Sequence, residues 1–407
     1  MSAETADAAY LLSATAVREQ ARALFALGLD DRLACFRIDL ARLDDVVTRV
    51  AVVTRDAYPT LDVPFHSRWR HFVVSGDDRW ARLVASAAWQ NKAERARAAF
   101  DLAIVSVLLD AGAGSVWRYR DARSGQTIGR SEGLAIASVD MFAHGAFSSR
   151  RSTPLQADAA GLTDLDNAAL HRGFQVDAAN PLLGIDNRAE LLRRLGTVVA
   201  AQPDVFARAD IPRPGGLFDH LIALAEDGRL AAPRILAELL RHLGPIWPSR
   251  LVFNGIALGD CWRYPGRDGS RLIPLHKLSQ WLAYSLIEPL QDAGITVTDI
   301  DGLTGLAEYR NGGLFVDSGV LVLREPTEAA REHEVSSALV VEWRALTVAL
   351  LDRTAERLRA RLGVDAQALP LAKILEGGTW AAGRRMAYER RPDGSPPIRV
   401  ISDGSVF

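Results

Sequence analysis

Cysteine is nearly absent: Cys35 and Cys261 are the only two in 407 residues. That excludes a disulfide framework and a four-cysteine zinc site. No apolar run approaches the roughly 18–20 residues that a membrane-spanning helix needs. The N-terminal segment carries acidic Glu4 and Asp7 and lacks the basic-then-apolar pattern of a secretory signal. A soluble cytoplasmic protein, with no membrane partner, is the expectation. Neither sign of charge is in excess, since 48 basic residues against 50 acidic leave a formal charge of −2. Such a balance gives no long-range field for gathering nucleic acid. The phosphate-cradling loop, the dinucleotide fingerprint and the Gly-x-Ser-x-Gly elbow are also missing. Lysine is scarce too. Only Lys92, Lys277 and Lys373 break the use of arginine as the general cation, so each marks a place where a compact ammonium can suit better than a planar guanidinium.

What is present describes an ordinary globular protein, 48% hydrophobic and 24% charged, long enough for two or three units of domain size. Apolar spacing predicts helices over 14–28, 91–111, 131–146, 188–201, 217–226, 233–243, 274–290, 334–361 and 378–390. Between them, Val116–Tyr119, the turn Ser124-Gly125 and Gln126–Ile128 predict a short hairpin. Breaks rich in proline and glycine fall at 210–216, 244–248 and 264–270. The expected fold class is mainly α with a few short strands, in two lobes. Residues 1–130 form an N-terminal helical lobe and 131–407 a helical lobe carrying the site, packed as one compact unit.

Three segments combine polar chemistry with apolar or glycine-rich surroundings. The first, FNGIALGDCW, places Asp260 and Trp262 beside glycines. The second, LIPLHKLSQWLAYSLIEPL, is a mostly apolar helix on which Lys277, Gln280, Trp281 and Tyr284 share a face; the plainer reading is a lysine snorkelling over a core helix. The third, LTGLAEYRNGGLF, sets Glu308, Tyr309, Arg310 and Asn311 before a glycine pair, where backbone can approach a ligand. Its plainer reading is a turn with a surface ion pair. Their closeness in sequence favours one pocket. His66 and His71, and His333 beside Glu332 and Glu334, do not have the spacing of a helical ligand pair, so no metal and no cofactor is expected.

Smaller features carry two readings each. Arg130, Ser131 and Glu132 cap a helix or line the pocket. Arg68 and Arg70 meet a phosphate or form a solvated strand face. The run Glu376-Gly377-Gly378-Thr379-Trp380 opens a helix for an anion or a ribose hydroxyl, or makes a tight turn between helices.

The blocks GRSEGLAIAS, IPLHKLSQWLAYSL, LTGLAEYRNGGLF, VEWRALTVALLD, LEGGTWAAGR and PPIRVISDGSVF resemble the uracil catabolism protein 4 family over most of the chain. That resemblance implies a place in a pathway that opens the uracil ring at the nucleotide level and leads to urea or ammonia and a three-carbon acid. The C-terminal third is also similar to the queuosine nucleoside hydrolases of queuine salvage, mainly α proteins with a DNA-glycosylase-like fold that cleave an N-ribosyl bond. Their lysine and glutamine fall on Lys277 and Gln280, and their Leu-Thr pair on Leu303-Thr304. Their Asp-Tyr-Arg falls on Glu308-Tyr309-Arg310 and their Val-Glu on Val341-Glu342. Their aspartate eight residues beyond the lysine falls on Ser285, so the principal carboxylate has moved or the reaction differs.

Together these readings imply an N-ribosyl hydrolase acting on a ring-opened uridine derivative, such as ureido-ribose or its 5-phosphate, and releasing urea. Cleavage through an oxocarbenium-like state calls for positioned carboxylates. Asp260, Glu308 and Lys277 are the expected catalytic residues. Trp262, His276, Gln280, Tyr309, Arg310 and Asn311, with Glu132 and Asp140, are expected to bind the small ribosyl substrate. Other uracil-catabolism enzymes are the expected partners. The alternatives are a metal-dependent amidohydrolase acting on an acyl-urea, and a non-catalytic partner of the ring-opening enzyme, which would show a large exposed apolar face.

Overall fold

A computed structural model describes residues 8–110, 112–114, 116–208, 211–247, 251–265 and 271–401. The predicted breaks at 210–216, 244–248 and 264–270 therefore lie partly outside the described residues, as does the end of the terminal PPIRVISDGSVF block. Helices dominate. Among the described residues the strands form eight two-stranded pairs, six antiparallel and two parallel. No described helix is long and apolar enough to cross a membrane.

The helices that matter here are α1 (Ala14–Leu29), α2 (Leu43–Ala57), α3 (Lys92–Leu108), α4 (Arg130–Ala143) and α5 (Ile185–Ala200). They are followed by α6 (Gly216–Ala223), α7 (Ala232–Leu243), α8 (Lys277–Asp292), α9 (Tyr309–Asp317), α10 (Ala338–Leu362) and α11 (Trp380–Arg390). Side-chain caps set several starts. Ser13 accepts from the Ala16 N–H, Asn91 from Glu94 and Ser337 from Val340, each filling a donor that the first turn leaves open. Gly363, in the left-handed region at φ 71°, ends α10. The expected hairpin is present as β1 (Arg118–Arg120) against β2 (Thr127–Gly129).

Apolar faces of these helices merge into one buried cluster that runs from Ala14 to Ile398. Helix α8 packs between α3 and α7, and α10 lies across α1 and α2. Both α8 and α10 are buried along most of their length, which is why their sequences read as near-continuous apolar runs with isolated polar residues.

Three local expectations are corrected. Residues 274–276 do not begin α8: β3 (Cys261–Tyr264) pairs with β4 (Arg271–Pro274), and His276, at φ 45°, turns the chain into the helix. The segment at Arg68 is no solvated strand face. It forms a short 3-10 turn, Arg68–Phe72, with Arg68 fully buried. The double glycine after Glu376 is no turn between helices. It lies in a π-helical turn, Leu375–Thr379, that continues into α11. A Cβ on Gly378 would stand 2.5 Å from Val50 Cγ1 and 2.7 Å from Thr54 Oγ1, so glycine lets this turn press against α2.

Candidate functional site

Asp260 precedes β3 and sits under the N-terminus of α8. Its carboxylate takes both arms of Arg344 at 2.8 Å each, the Trp262 indole N–H at 2.6 Å and the Lys277 backbone N–H at 2.9 Å. Burial acts to raise its pKa, but Arg344, followed by the Lys277 N–H and the Trp262 indole, holds it down at about 2. Four donors occupy the places a carboxylate offers. This side chain builds the floor of the site.

Above it, α8 carries the Lys277 ammonium, which retains accessible surface although protein surrounds it. Burial pushes its pKa down, opposed first by Glu308 and then by Asp110. Glu308 is the N-cap of α9, its oxygens accepting the Arg310 and Asn311 N–H groups at 2.7 and 2.6 Å. A carboxylate there is favoured by the helix dipole. Asn311 is fully buried, and neither its amide oxygen nor its amide nitrogen has a hydrogen-bond partner.

The opposite wall comes from segments far away in the chain. Arg68 donates to Asp110 at 2.6 Å and to Ser106 at 2.7 Å, while its Nη2 is buried without a partner. Asp110, just beyond the end of α3, also accepts from the Ser131 hydroxyl at 2.6 and 2.8 Å. Ser131 thus serves this network rather than the cap of α4, whose N-cap is Gly129. Arg68 lies 5.5 Å from the Trp281 ring, and the Trp281 indole N–H is a second buried donor without a partner.

Two imidazoles and two indoles complete the lining. His66 is 6.3 Å from Trp281 and 6.0 Å from Trp380, and His71 is 5.6 and 6.4 Å from the same rings. His66 is hydrogen-bonded to Glu376 at 2.7 Å. Burial, then the neighbouring Arg68, lowers the pKa of His71, so its imidazole is neutral at physiological pH. Glu132 faces it, paired with Arg384 at 2.9 Å. His71, Lys277, Tyr309 and Glu376 are enclosed by protein yet keep accessible surface.

The other expected residues have different surroundings. Gln280 is bonded through its amide to the Thr304 hydroxyl and accepts from the Thr304 N–H at 3.1 Å, tying α8 to the Leu303-Thr304 turn. His276 meets the Leu11 carbonyl at 2.8 Å. Arg310 lies over the Tyr309 ring, 4.8 Å from its centre, and donates to the Gly394 carbonyl at 2.9 Å. Asp140 accepts from the Tyr119 hydroxyl at 2.8 Å, and its charged neighbours are Arg79, Asp121 and His144 rather than Lys277. Ser285 is buried, accepts from the Arg68 N–H at 2.9 Å and donates to the Trp281 carbonyl. Glu342 takes the Ala34 and Cys35 N–H groups and the Tyr264 hydroxyl, with distances of 2.7–2.8 Å.

Sequence reasoning passed over Asp110 and His71 as partners here, and offered Ser131 and Trp380 only as alternatives to a helix cap and a turn. A signal for Asp110 existed: a lone acid directly after the apolar run IVSVLL. None existed for His71 and Trp380, which come together only through the fold.

Fold and site define a mainly α protein in which carboxylates, cations and aromatic rings gather around Lys277 and Trp281. The chain belongs to the family described as "Protein of unknown function (DUF1688)", whose model matches residues 10–407. It is 40% identical over 419 residues to "Protein urg3" of Schizosaccharomyces pombe, covering 100% of each chain. It is 35% identical over 439 residues to "Uracil catabolism protein 4" of Lachancea kluyveri, covering 98% of each.

Proposed function

We propose that this protein acts in uracil catabolism as an N-ribosyl hydrolase that cleaves ureido-ribose, or its 5-phosphate, to urea and the sugar. The relative named for uracil catabolism supports the pathway, and the likeness of the Lys277–Arg310 region to queuosine nucleoside hydrolases supports the bond. The observation that carries the reading is a set of buried polar atoms without partners. Arg68 Nη2, Trp281 Nε1 and both amide atoms of Asn311 are buried without a partner, on the segments that carry or neighbour Lys277, Glu308 and Asp110. Buried polar groups are normally satisfied, so these suit a small ligand rich in donors and acceptors.

In the proposed reaction, water adds at the anomeric carbon, the C–N bond breaks, and the ureido nitrogen leaves with a proton that replaces, in the overall balance, the one Asp110 takes from that water. Glu308, ionised at the start of α9, stabilises the oxocarbenium-like charge. Asp110 Oδ2, which among the described residues accepts from Ser131 alone, has a lone pair to take a proton from water. Arg68 Nη2 and Trp281 Nε1 hydrogen-bond the ureido oxygen and spread the charge of the departing nitrogen. Lys277 holds a sugar hydroxyl or phosphate as a compact cation. Asp260 sets the position of Lys277 through the backbone and keeps Arg344 neutralised. The test is incubation of pure protein with synthetic ureido-ribose and with its 5-phosphate, followed by assay of free urea. Release of urea from neither compound overturns the reading.

A further inference from the structure

Away from the cleft, three side chains from α6 and α7 converge on one point. His220 Nε2 lies 2.9 Å from Glu238 Oε2, and His242 Nε2 lies 3.1 Å from the same oxygen. The three atoms lie within 4.8 Å of one another. Glu238 is almost completely buried, His242 is 14% exposed and His220 23%. Glu238 and His242 are one helical turn apart on α7, so their side chains leave the same face.

The hydrogen bonds behind His242 fix what its ring presents. Gln202 donates its amide nitrogen to two carbonyls, of Val198 at 3.2 Å and of His242 itself at 2.9 Å. Its amide oxygen is thereby turned toward His242 Nδ1, 2.8 Å away. An oxygen there requires the proton on Nδ1. In the neutral ring, Nε2 is then a bare lone pair aimed at a carboxylate oxygen 3.1 Å away. Two lone pairs facing each other at that distance repel unless a cation lies between them or the ring is protonated. Orienting a ligand imidazole through its second nitrogen is the usual arrangement behind protein-bound metals.

We infer that His220 Nε2, His242 Nε2 and Glu238 Oε2 form a binding site for a divalent transition metal of the zinc class. Two imidazoles and one carboxylate are an established zinc donor set, with metal–ligand bonds of about 2.0–2.2 Å. Such bonds imply donor separations of about 3.3 Å in a tetrahedral site, close to both His–Glu distances. The His220 and His242 nitrogens lie within 4.8 Å of each other, and His220 stands on a short, partly exposed helix. Arg234 Nε, 2.9 Å from Glu238 Oε1, leaves Oε2 to the metal. Bound there, the ion ties α6 to α7, and through Gln202 to the end of α5. It would act as a structural clamp on α7, the helix that packs against α8.

The full-length protein, stripped by chelation and returned to chelator-free buffer, would be titrated with Zn²⁺ by calorimetry and with Co²⁺ by visible absorption. The expected result is one ion per chain, a Co²⁺ ligand-field band and a melting temperature raised by roughly 3 °C at a hundredfold excess over Kd. His220→Ala and His242→Ala should each weaken binding at least tenfold, while His144→Ala, at an exposed histidine elsewhere, leaves it unchanged. His220, being partly exposed, keeps the test valid if the His242 variant does not fold. Absence of stoichiometric binding, or binding that survives His220→Ala, overturns the site. So does a melting temperature that ignores Zn²⁺.

Discussion

Arg344 grips Asp260 with both arms at 2.8 Å, across 84 positions of sequence and with neither side chain more than 8% exposed. A carboxylate so occupied cannot approach a substrate without releasing a buried guanidinium. Asp260→Asn is therefore expected to act first on stability, by about 3–5 kcal/mol, the scale for leaving one member of a buried pair uncompensated. Denaturant midpoints measure it. An unchanged midpoint with turnover reduced by orders of magnitude would return Asp260 to the chemistry.

The same pair sets an acid limit. With a folded value of about 2 against 3.8 for the free side chain, Asp260 contributes stability that is fully present above about pH 4. It is lost as pH falls through about 2, when the folded state must also take up the proton. The stability gap between wild type and Asp260→Asn should be constant from pH 7 to about 5 and close toward pH 2. A gap that does not change over that range would show that the charge is not the stabilising feature.

Glu308→Gln keeps an oxygen for one of the Arg310 and Asn311 N–H groups, turns an amide NH2 toward the other, and deletes the charge. Loss of ideal capping costs about 1 kcal/mol, whereas turnover on ureido-ribose should fall roughly 10²–10⁴-fold, with KM changing much less. Equal effects on kcat and on melting would assign Glu308 a structural role only.

Lys277→Arg asks whether shape matters in a protein that elsewhere prefers arginine. A snorkelling cation accepts the change. A cation placed in an enclosed cleft against Glu308 and Asp110 does not, because the guanidinium is larger and planar. Folded protein with strongly reduced urea release is expected. Full activity would remove Lys277 from the site.

Trp281→Phe deletes one N–H and keeps an aromatic wall. As that N–H has no protein partner, no internal hydrogen bond is lost, and stability should move only by the cost of the smaller ring. Turnover should drop by about 10²-fold or more, the scale for one donor aimed at developing negative charge. Equal kcat in the two proteins would mean that the donor faces nothing that reacts.

Helices were legible because α3, α8 and α10 carry long apolar stretches with caps or breakers at their ends, and these are local properties. Lys277 and Glu308 could be singled out for the same reason: each is a charge set into an apolar or glycine-rich stretch. The role of Asp260 was not legible, since Arg344 decides it from 84 residues away. Gln280 and Arg310 read as ligand contacts but are taken up by Thr304 and Gly394. Gly377-Gly378 reads as a turn, because nothing in its neighbourhood reveals that α2 presses on it. Asp110, Arg68 and His71 were missed as a unit. Arg68 and Asp110 are 42 positions apart, and no pattern within either segment names the other.

The cleft draws its walls from the whole length of the chain. His66 meets Glu376 across 310 positions, with α3, α8 and α9 supplying the rest. Such distant closure is kinetically slow, because loop entropy is lost before the contact forms. During synthesis, Arg68, Asp110, Lys277 and Glu308 all leave the ribosome before Glu376 and Trp380 exist. The nascent chain must therefore hold a half-lined polar groove open to water until its final helix docks, and activity should appear only with the last segment rather than accumulate as the chain grows.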